Sequence, residues 1–165
     1  MFLFVILLLY KKSNDTFTIP NESIRFRIIA NSNDFSDQLM KEKLRRYIEP
    51  IIDDMLKDTN NIDEARLNIK DNLDSLTIAI EEFLKNNNYN NDFNIKYGDN
   101  YFPKKAYKGI LYKEGNYESL VITLGKGEGN NWWCLLFPPL CYVDFDDAEE
   151  VEYKLLIKQI FDKFK

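Results

Sequence analysis

The sequence predicts an α+β domain, because two different patterns of apolar residues follow one another along the chain. Residues 39–83 repeat apolar side chains every three or four positions, which is typical of amphipathic helices. Residues 93–137 favour short strands, some with alternating apolar and polar side chains, separated by turn-forming residues. The predicted order is an N-terminal strand, two helices, three or four antiparallel strands and a C-terminal helix.

Length and composition limit the function. A chain of 165 residues suits one domain, and a hydrophobic fraction of 45% with 30% charged residues is typical of a globular protein. The net charge of -5 argues against general binding to nucleic acid, which needs a basic surface. Because there is no histidine and there are only two cysteines, histidine-based catalysis and common zinc sites are excluded. We expect no metal, no cofactor and no catalytic residue.

The N-terminus is apolar over residues 2–9, and Lys11 and Lys12 follow. A transmembrane helix needs about 20 apolar residues, whereas a run of this length fits the hydrophobic part of a signal peptide. We predict that residues 1–10 are a signal-peptide remnant or a short hydrophobic segment, that residues 11–23 are a polar linker, and that residues 24–165 form the domain. The alternative is that the apolar run is a buried strand.

Residues 24–30 predict the first strand, and Asp34 is the predicted N-cap of the first helix, with Asp37 in a capping-box position. Pro50 is expected to kink or divide this helix, because proline lacks a backbone donor. A second helix is expected to begin at residues 60–61, with a stripe that forms either core or a partner groove. The predicted apolar faces are Leu39, Leu44, Ile48, Ile51 and Met55 in the first helix, Ile69, Leu73, Leu76, Ile80 and Phe83 in the second, and Val151, Leu155, Leu156, Ile160, Phe161 and Phe164 in a helix over residues 149–165.

Residues 125–129 (GKGEG) superficially resemble a phosphate-binding loop. A working phosphate loop joins a strand to a helix, whereas the next segment here reads as a strand and no Lys-Ser/Thr pair closes the motif. We therefore predict a flexible hairpin loop and no nucleotide.

Trp132 and Trp133 are adjacent in a predicted strand, so their rings must point to opposite faces. If one ring is buried, the other is either a surface anchor for a partner or is covered by a helix or loop. Both interpretations stay open at this point.

Pro138 and Pro139 end this strand and are positioned to reverse the chain, with a cis bond as one option. Along an extended strand Cys134 and Cys141 would lie about 23 Å apart, too far for a disulfide. If the prolines supply a turn, a disulfide becomes possible; the alternative is two buried free thiols.

Acidic residues cluster after the prolines. They are compatible with carboxylate catalysis or, as is commoner, with a solvated helix N-terminus. The cluster consists of Asp144, Asp146, Asp147, Glu149 and Glu150.

Four segments together resemble the stage II sporulation protein R family of endospore-forming bacteria. They are residues 24–32 (IRFRIIANS), 101–104 (YFPK), 114–118 (EGNYE) and 131–141 (NWWCLLFPPLC). The resemblance implies a protein exported from the forespore into the space between the two membranes. There it would trigger a membrane-bound aspartic protease that removes the pro-sequence of an inactive sigma factor.

This resemblance implies a non-enzymatic partner-binding protein that contacts the membrane only through its N-terminal segment or its partner. The alternative is a cell-wall glycan-binding module or a carboxylate-dependent hydrolase, since indole rings stack well on sugars. We predict a contact surface that consists of Trp132, Trp133, Phe137, Pro138, Pro139 and Leu140, flanked by Asn31, Ser32, Phe102 and Pro103.

Overall fold

The fold is described by a computed structural model over residues 17–107, 110–141 and 150–164. It confirms a single α+β domain with an N-terminal strand and a C-terminal helix. The elements in chain order are β1 (Phe17–Thr18), β2 (Ile24–Ile29), α1 (Phe35–Leu56), α2 (Ile62–Asn86), β3 (Phe93–Phe102), β4 (Lys105–Tyr107), β5 (Ile110–Tyr112), β6 (Gly115–Leu124), β7 (Asn131–Phe137) and α3 (Glu150–Lys163). No helix in these ranges is both long and apolar enough to cross a membrane.

The main sheet is mixed, with the strand order β3-β6-β2-β7. β6 pairs antiparallel with β3 and parallel with β2, while β7 pairs antiparallel with β2. The antiparallel pairing predicted among the later strands is present in β3 with β6 and in β4 with β5, whereas the N-terminal strand β2 joins β6 in parallel. A parallel pair needs a long crossover connection, and α1, α2 and β3 supply it.

A second, smaller sheet has the order β1-β5-β4 and includes part of the predicted linker. Phe17 and Thr18 pair with β5, and the amide of Ile19 donates to the carbonyl of Leu111 at 3.2 Å. Ile19 is only 2% exposed. Residues 17–19 therefore belong to the fold and correct the linker boundary, whereas residues 1–16 lie outside the described part of the chain.

Helix α1 is continuous through Pro50, so this residue does not divide the helix. Its predicted face was displaced by about one position after Ile48, since Ile52 and Leu56 are buried in place of Ile51 and Met55. Leu39 is 42% exposed. The buried side chains of α1 are Lys41, Leu44, Ile48, Ile52 and Leu56.

Helix α2 begins as predicted at an asparagine cap. The side chain of Asn61 accepts from the amide of Glu64 at 3.0 Å, and the Glu64 carboxylate accepts from the amide of Asn60 at 2.9 Å. This arrangement is a close variant of a capping box. Ile69, Leu76 and Ile80 of the predicted stripe are buried against the sheet, which confirms that the stripe is core.

Helix α3 packs on the second sheet with a face that differs from the predicted one. Tyr153, Ile157 and Phe161 are buried at spacings of four, as one face of a helix requires. Leu155 and Leu156, predicted to be on that face, are 56% and 40% exposed. The side chain of Val151 lies outside the described residues.

Candidate functional site

The two tryptophans lie on opposite faces of β7, as predicted. Trp132 faces the helices, where its ring lies 5.5 Å from the ring of Phe26 and 5.2 Å from Cζ of Arg45. Trp133 faces the other side, where its ring lies 5.2 Å from that of Phe102 and 4.8 Å from Nζ of Lys105. Both rings are half-buried, so each is partly covered and partly accessible.

The proline turn reverses the chain after β7. The Phe137–Pro138 bond is cis, and the amide of Leu140 donates to the carbonyl of Leu135 at 3.2 Å. Cys134 and Cys141 have Cα atoms 5.3 Å apart and form a disulfide. Of the two alternatives left open by the sequence, the structure contains the bridge and no free cysteine.

Several residues of the predicted contact surface belong to the core, which corrects that part of the prediction. Phe137 is 4% exposed, Leu140 8% and Phe102 1%, and Pro138 is also buried. Phe137 and Leu140 are buried because the two sides of β7 are covered, by the α1–α2 layer on one side and by α3 with the small sheet on the other. Pro139 is half-buried and Pro103 is exposed.

Asn31 and Ser32 hold two loops together. Asn31 Oδ1 accepts from the amide of Lys126 at 2.9 Å, while its Nδ2 donates to Asp37 at 2.7 Å. The hydroxyl of Ser32 also donates to Asp37 at 2.7 Å. Hydrogen bonds from Ser32 and then Asn31 lower the pKa of Asp37.

Asp34 occupies the N-cap position of α1, but its side chain makes no capping bond, so the predicted capping box is wrong.

The glycine-rich loop at residues 125–129 is anchored, which corrects the expectation of a flexible hairpin. β2 lies between β6 and β7, so the loop crosses the end of β2. The amide of Glu128 donates to the carbonyl of Asn31 at 3.1 Å, and that of Gly129 donates to the carbonyl of Ala30 at 2.9 Å. A Cβ atom at Gly129 would collide with the backbone of Ser32, so this close approach requires glycine.

Trp133 belongs to a separate cluster of side chains on this face of the sheet. We call it the arginine–aromatic core and define it as Arg25, Arg27, Phe102, Tyr117 and Trp133. Arg25 is only 1% exposed, and its Cζ lies 3.3 Å from the ring centre of Tyr117 and 5.4 Å from that of Phe102. Cζ of Arg27 lies 4.8 Å from the ring of Phe102. Both guanidinium groups therefore lie against one phenyl ring.

The curvature of the β3–β6 ribbon creates this core. Ser119 pairs with both Arg25 and Gly98, and Phe102 follows four residues after Gly98. A flat strand would place Phe102 about 13 Å further along the sheet. Since its ring contacts Arg27, the ribbon must curl over the outer face of the sheet, and Gly98 with φ 142° lies within β3.

Sequence reasoning missed the arginines as candidate functional residues. The alternation in IRFRII places Arg25 and Arg27 on the face opposite the helices, and this was the available signal. Their burial depends on a ribbon that begins almost 70 residues later, which no local pattern indicates. Burial lowers the pKa of Arg25, an effect that Tyr117 partly opposes, and also lowers the pKa of Arg27 and Lys105.

Within residues 17–107, 110–141 and 150–164, no group of three or more His, Cys, Asp or Glu side chains is placed to hold a metal ion. The candidate catalytic carboxylates Asp144, Asp146, Asp147 and Glu149 lie outside the described residues, as does the side chain of Glu150.

The fold is a single α+β domain with a mixed four-stranded main sheet and a disulfide next to β7. Residues 20–147 match the family model described as Stage II sporulation protein R (spore_II_R), and the chain belongs to this family. The resemblance inferred from the sequence is thereby confirmed. Helix α3 lies beyond the matched residues.

A curated relative supports the same assignment. The Stage II sporulation protein R of Bacillus subtilis (strain 168) is 38% identical over 142 residues, which cover 86% of this chain and 63% of the relative. The chain thus spans less than two thirds of that relative's length. No solved structure matches the chain. The family is named for sporulation.

Proposed function

We propose that this chain is a secreted sporulation signal that activates a membrane-embedded aspartic protease. The protease then processes an inactive pro-sigma factor in the mother cell. Family membership over residues 20–147 is the observation that carries the proposal. The protease and its substrate are what the family resemblance implies, and the chain itself is proposed to act without catalysis.

We propose that the protein acts in the space between the forespore and mother-cell membranes. The Cys134–Cys141 disulfide supports an extracytoplasmic site, because such bonds persist mainly in oxidising compartments. The apolar run at residues 2–9, with its signal-peptide length, agrees with export. Membrane contact is proposed to occur only through that segment or through the partner.

Activation would follow from differential affinity for two states of the protease. A ligand that shifts an equilibrium from 1:99 to 99:1 must bind the favoured state about 10⁴-fold more tightly. Rigid surfaces achieve this more easily, since less conformational freedom is lost on binding. The disulfide, the anchored loops and the packed tryptophans give β7 this rigidity, so we keep Trp132, Trp133, Pro139 and Pro103 as proposed contacts.

The test is co-expression of the chain, the protease and the pro-sigma factor in a non-sporulating host, with processing followed by immunoblot. We expect processing only when all three are present. Trp132→Ala or Trp133→Ala should abolish processing in at least one case while the purified variant stays folded. Tyr101→Ala is the matched control, because Tyr101 is an aromatic residue that is 57% exposed outside the proposed contacts.

Failure of the wild-type chain to promote processing would contradict the proposal, and unfolding of both tryptophan variants would assign the rings to the core alone. Binding to peptidoglycan, or its cleavage, would favour the glycan alternative. The structure does not favour that alternative, because sugar stacking needs an open ring face and both indoles have a cation over the ring.

A further inference from the structure

Among the described residues, the three buried guanidinium nitrogens of Arg25 make no well-aligned hydrogen bond, and the same holds for Nε of Arg27. Two other arginines are paired with carboxylates. Nη2 of Arg66 lies 2.8 Å from Oε2 of Glu118, and Nη1 of Arg45 lies 3.3 Å from Oε1 of Glu49. The arginine–aromatic core therefore differs in kind from these ion pairs.

Aromatic rings compensate only part of the cost of burying this charge. A cation over a ring gains about 2 kcal/mol when it is desolvated, but the ring covers a face of the planar guanidinium group. The five N–H donors point outward in the plane of that group, where the ring faces offer no acceptor and the Tyr117 side chain compensates burial only in part. Arg25 is closed to solvent, so the donors that a planar, two-oxygen acceptor such as a carboxylate reaches first are those of the half-buried Arg27.

The surroundings on this face are cationic. Lys96 and Arg27 flank Val121 in register across β3, β6 and β2, and Lys105 lies over Trp133. In the described ranges, no ion pair joins any of these cations to a carboxylate. In a chain with a net charge of -5, such a face attracts anions that the rest of the surface repels.

We propose that Arg27 and Arg25 form a binding site for a carboxylate side chain carried by an acidic segment of the protein partner. Arg27 is half-buried at the rim and meets the carboxylate first, and Arg25 lies behind it against the same phenyl ring. The apolar rim of Ile29, Val121 and Trp133 suits the side chains next to an acidic residue better than it suits a free ion. This inference rests on the proposed function, because the acidic segment would belong to the partner that the proposed function requires.

The test is titration of the ¹⁵N-labelled full chain at pH 6.5, with the arginine Nε–Hε signals observed by NMR. The probes are a soluble peptide of alternating Glu and Ala, the same peptide with Gln for Glu, acetate and inorganic phosphate, all at matched ionic strength. We expect saturable shifts of the Arg27 signal with the Glu peptide and none with the Gln peptide. Binding should disappear when the pH falls below about 4, where the peptide carboxylates are protonated.

Variants separate the site from general charge effects. Arg27→Gln should weaken binding of the Glu peptide at least tenfold, and Arg27→Lys should restore it only in part because lysine lacks the planar fork. Lys158→Gln is the matched control, since Lys158 is exposed on α3, and it should bind like the wild type. Circular dichroism must show that the Arg27 variants are folded, and their rim position makes this expected.

Equal binding by Arg27→Gln, or no saturable shift with the Glu peptide, would overturn the inference. Saturation by phosphate but not by the Glu peptide would overturn the choice of carboxylate, and acetate as tight as the peptide would overturn the choice of a protein segment. These readouts are independent of sigma-factor processing. Peptide binding without processing would refute the proposed function alone, and processing without peptide binding would refute this inference alone.

Discussion

Replacement of Arg25 by methionine should make the free protein more stable. Arg25 is 1% exposed, and its guanidinium nitrogens make no well-aligned hydrogen bond within the described part of the chain. Methionine has a similar length, is apolar and adapts its shape to the aromatic walls. The substitution removes a buried charge and leaves no charged partner behind, because no described carboxylate pairs with Arg25.

The expected magnitude follows from two opposing contributions. The desolvation penalty of one buried ion is several kcal/mol in real proteins. The ring of Tyr117, whose centre lies 3.3 Å from Cζ of Arg25, offsets about 2 kcal/mol of this penalty. The rings of Phe102 and Tyr112, at 5.4 and 5.7 Å, offset less. We therefore expect Arg25→Met to raise the free energy of unfolding by about 1–3 kcal/mol, which lies within the range of about 1–4 kcal/mol seen when buried ion pairs are replaced by apolar groups.

Urea unfolding followed by tryptophan fluorescence, with the disulfide kept oxidised, measures this change. Arg66→Met is the control of opposite sign, because it removes a cation bonded to both Glu118 and Asp63. It should lower the free energy of unfolding by about 1–2 kcal/mol. Destabilisation by Arg25→Met of more than about 1 kcal/mol would refute the reasoning, since the guanidinium group would then be satisfied inside the free protein.

Three further predictions concern stability. Burial alone would raise the pKa of Glu118, but hydrogen bonds from Arg66 and Tyr97 lower it overall. The contribution of Glu118 to the free energy of unfolding is therefore complete above the unfolded pKa of about 4.3 and is lost as the pH falls through the lower folded pKa. Glu118→Gln should flatten the acid limb of a curve of stability against pH, and an unchanged limb would count against this. Gly129→Ala should cost about 1–3 kcal/mol because its Cβ would lie 2.6 Å from the carbonyl carbon of Ser32, while Lys126→Ala in the same loop should be nearly neutral in thermal melts. Reduction of the disulfide should lower the free energy of unfolding by about 2.5 kcal/mol, as the chain-entropy model gives for so short a loop, and an equal urea midpoint with and without reductant would contradict it.

Periodicity predicted the elements that depend on local pattern. Ile69, Leu76 and Ile80 of α2 repeat at helical spacing, and they are buried where the stripe predicts. The asparagine start of this helix was also predictable, because capping uses side chains only a few residues apart. The opposite orientation of Trp132 and Trp133 followed from strand geometry alone.

Features that depend on distant segments were not predictable from local pattern. The parallel pairing of β2 with β6 joins strands separated by two helices, so no local pattern near Ile24 indicates it. The burial of Phe102 and Arg25 depends on the curl of a ribbon over the sheet. Phe137 and Leu140 are apolar and follow two tryptophans, which suggested a binding surface, yet α3 packs over this region. The partner contacts of Trp132 and Trp133 stay a prediction.

The most direct test adds the purified, oxidised chain to spheroplasts that contain the protease and the pro-sigma factor. The chain then reaches only the outer side of the membrane, and processing inside the cell is measured against its concentration. We predict a saturable rise in processing that requires the protease. Processing without the protease, or no processing at any concentration of folded chain, would contradict it.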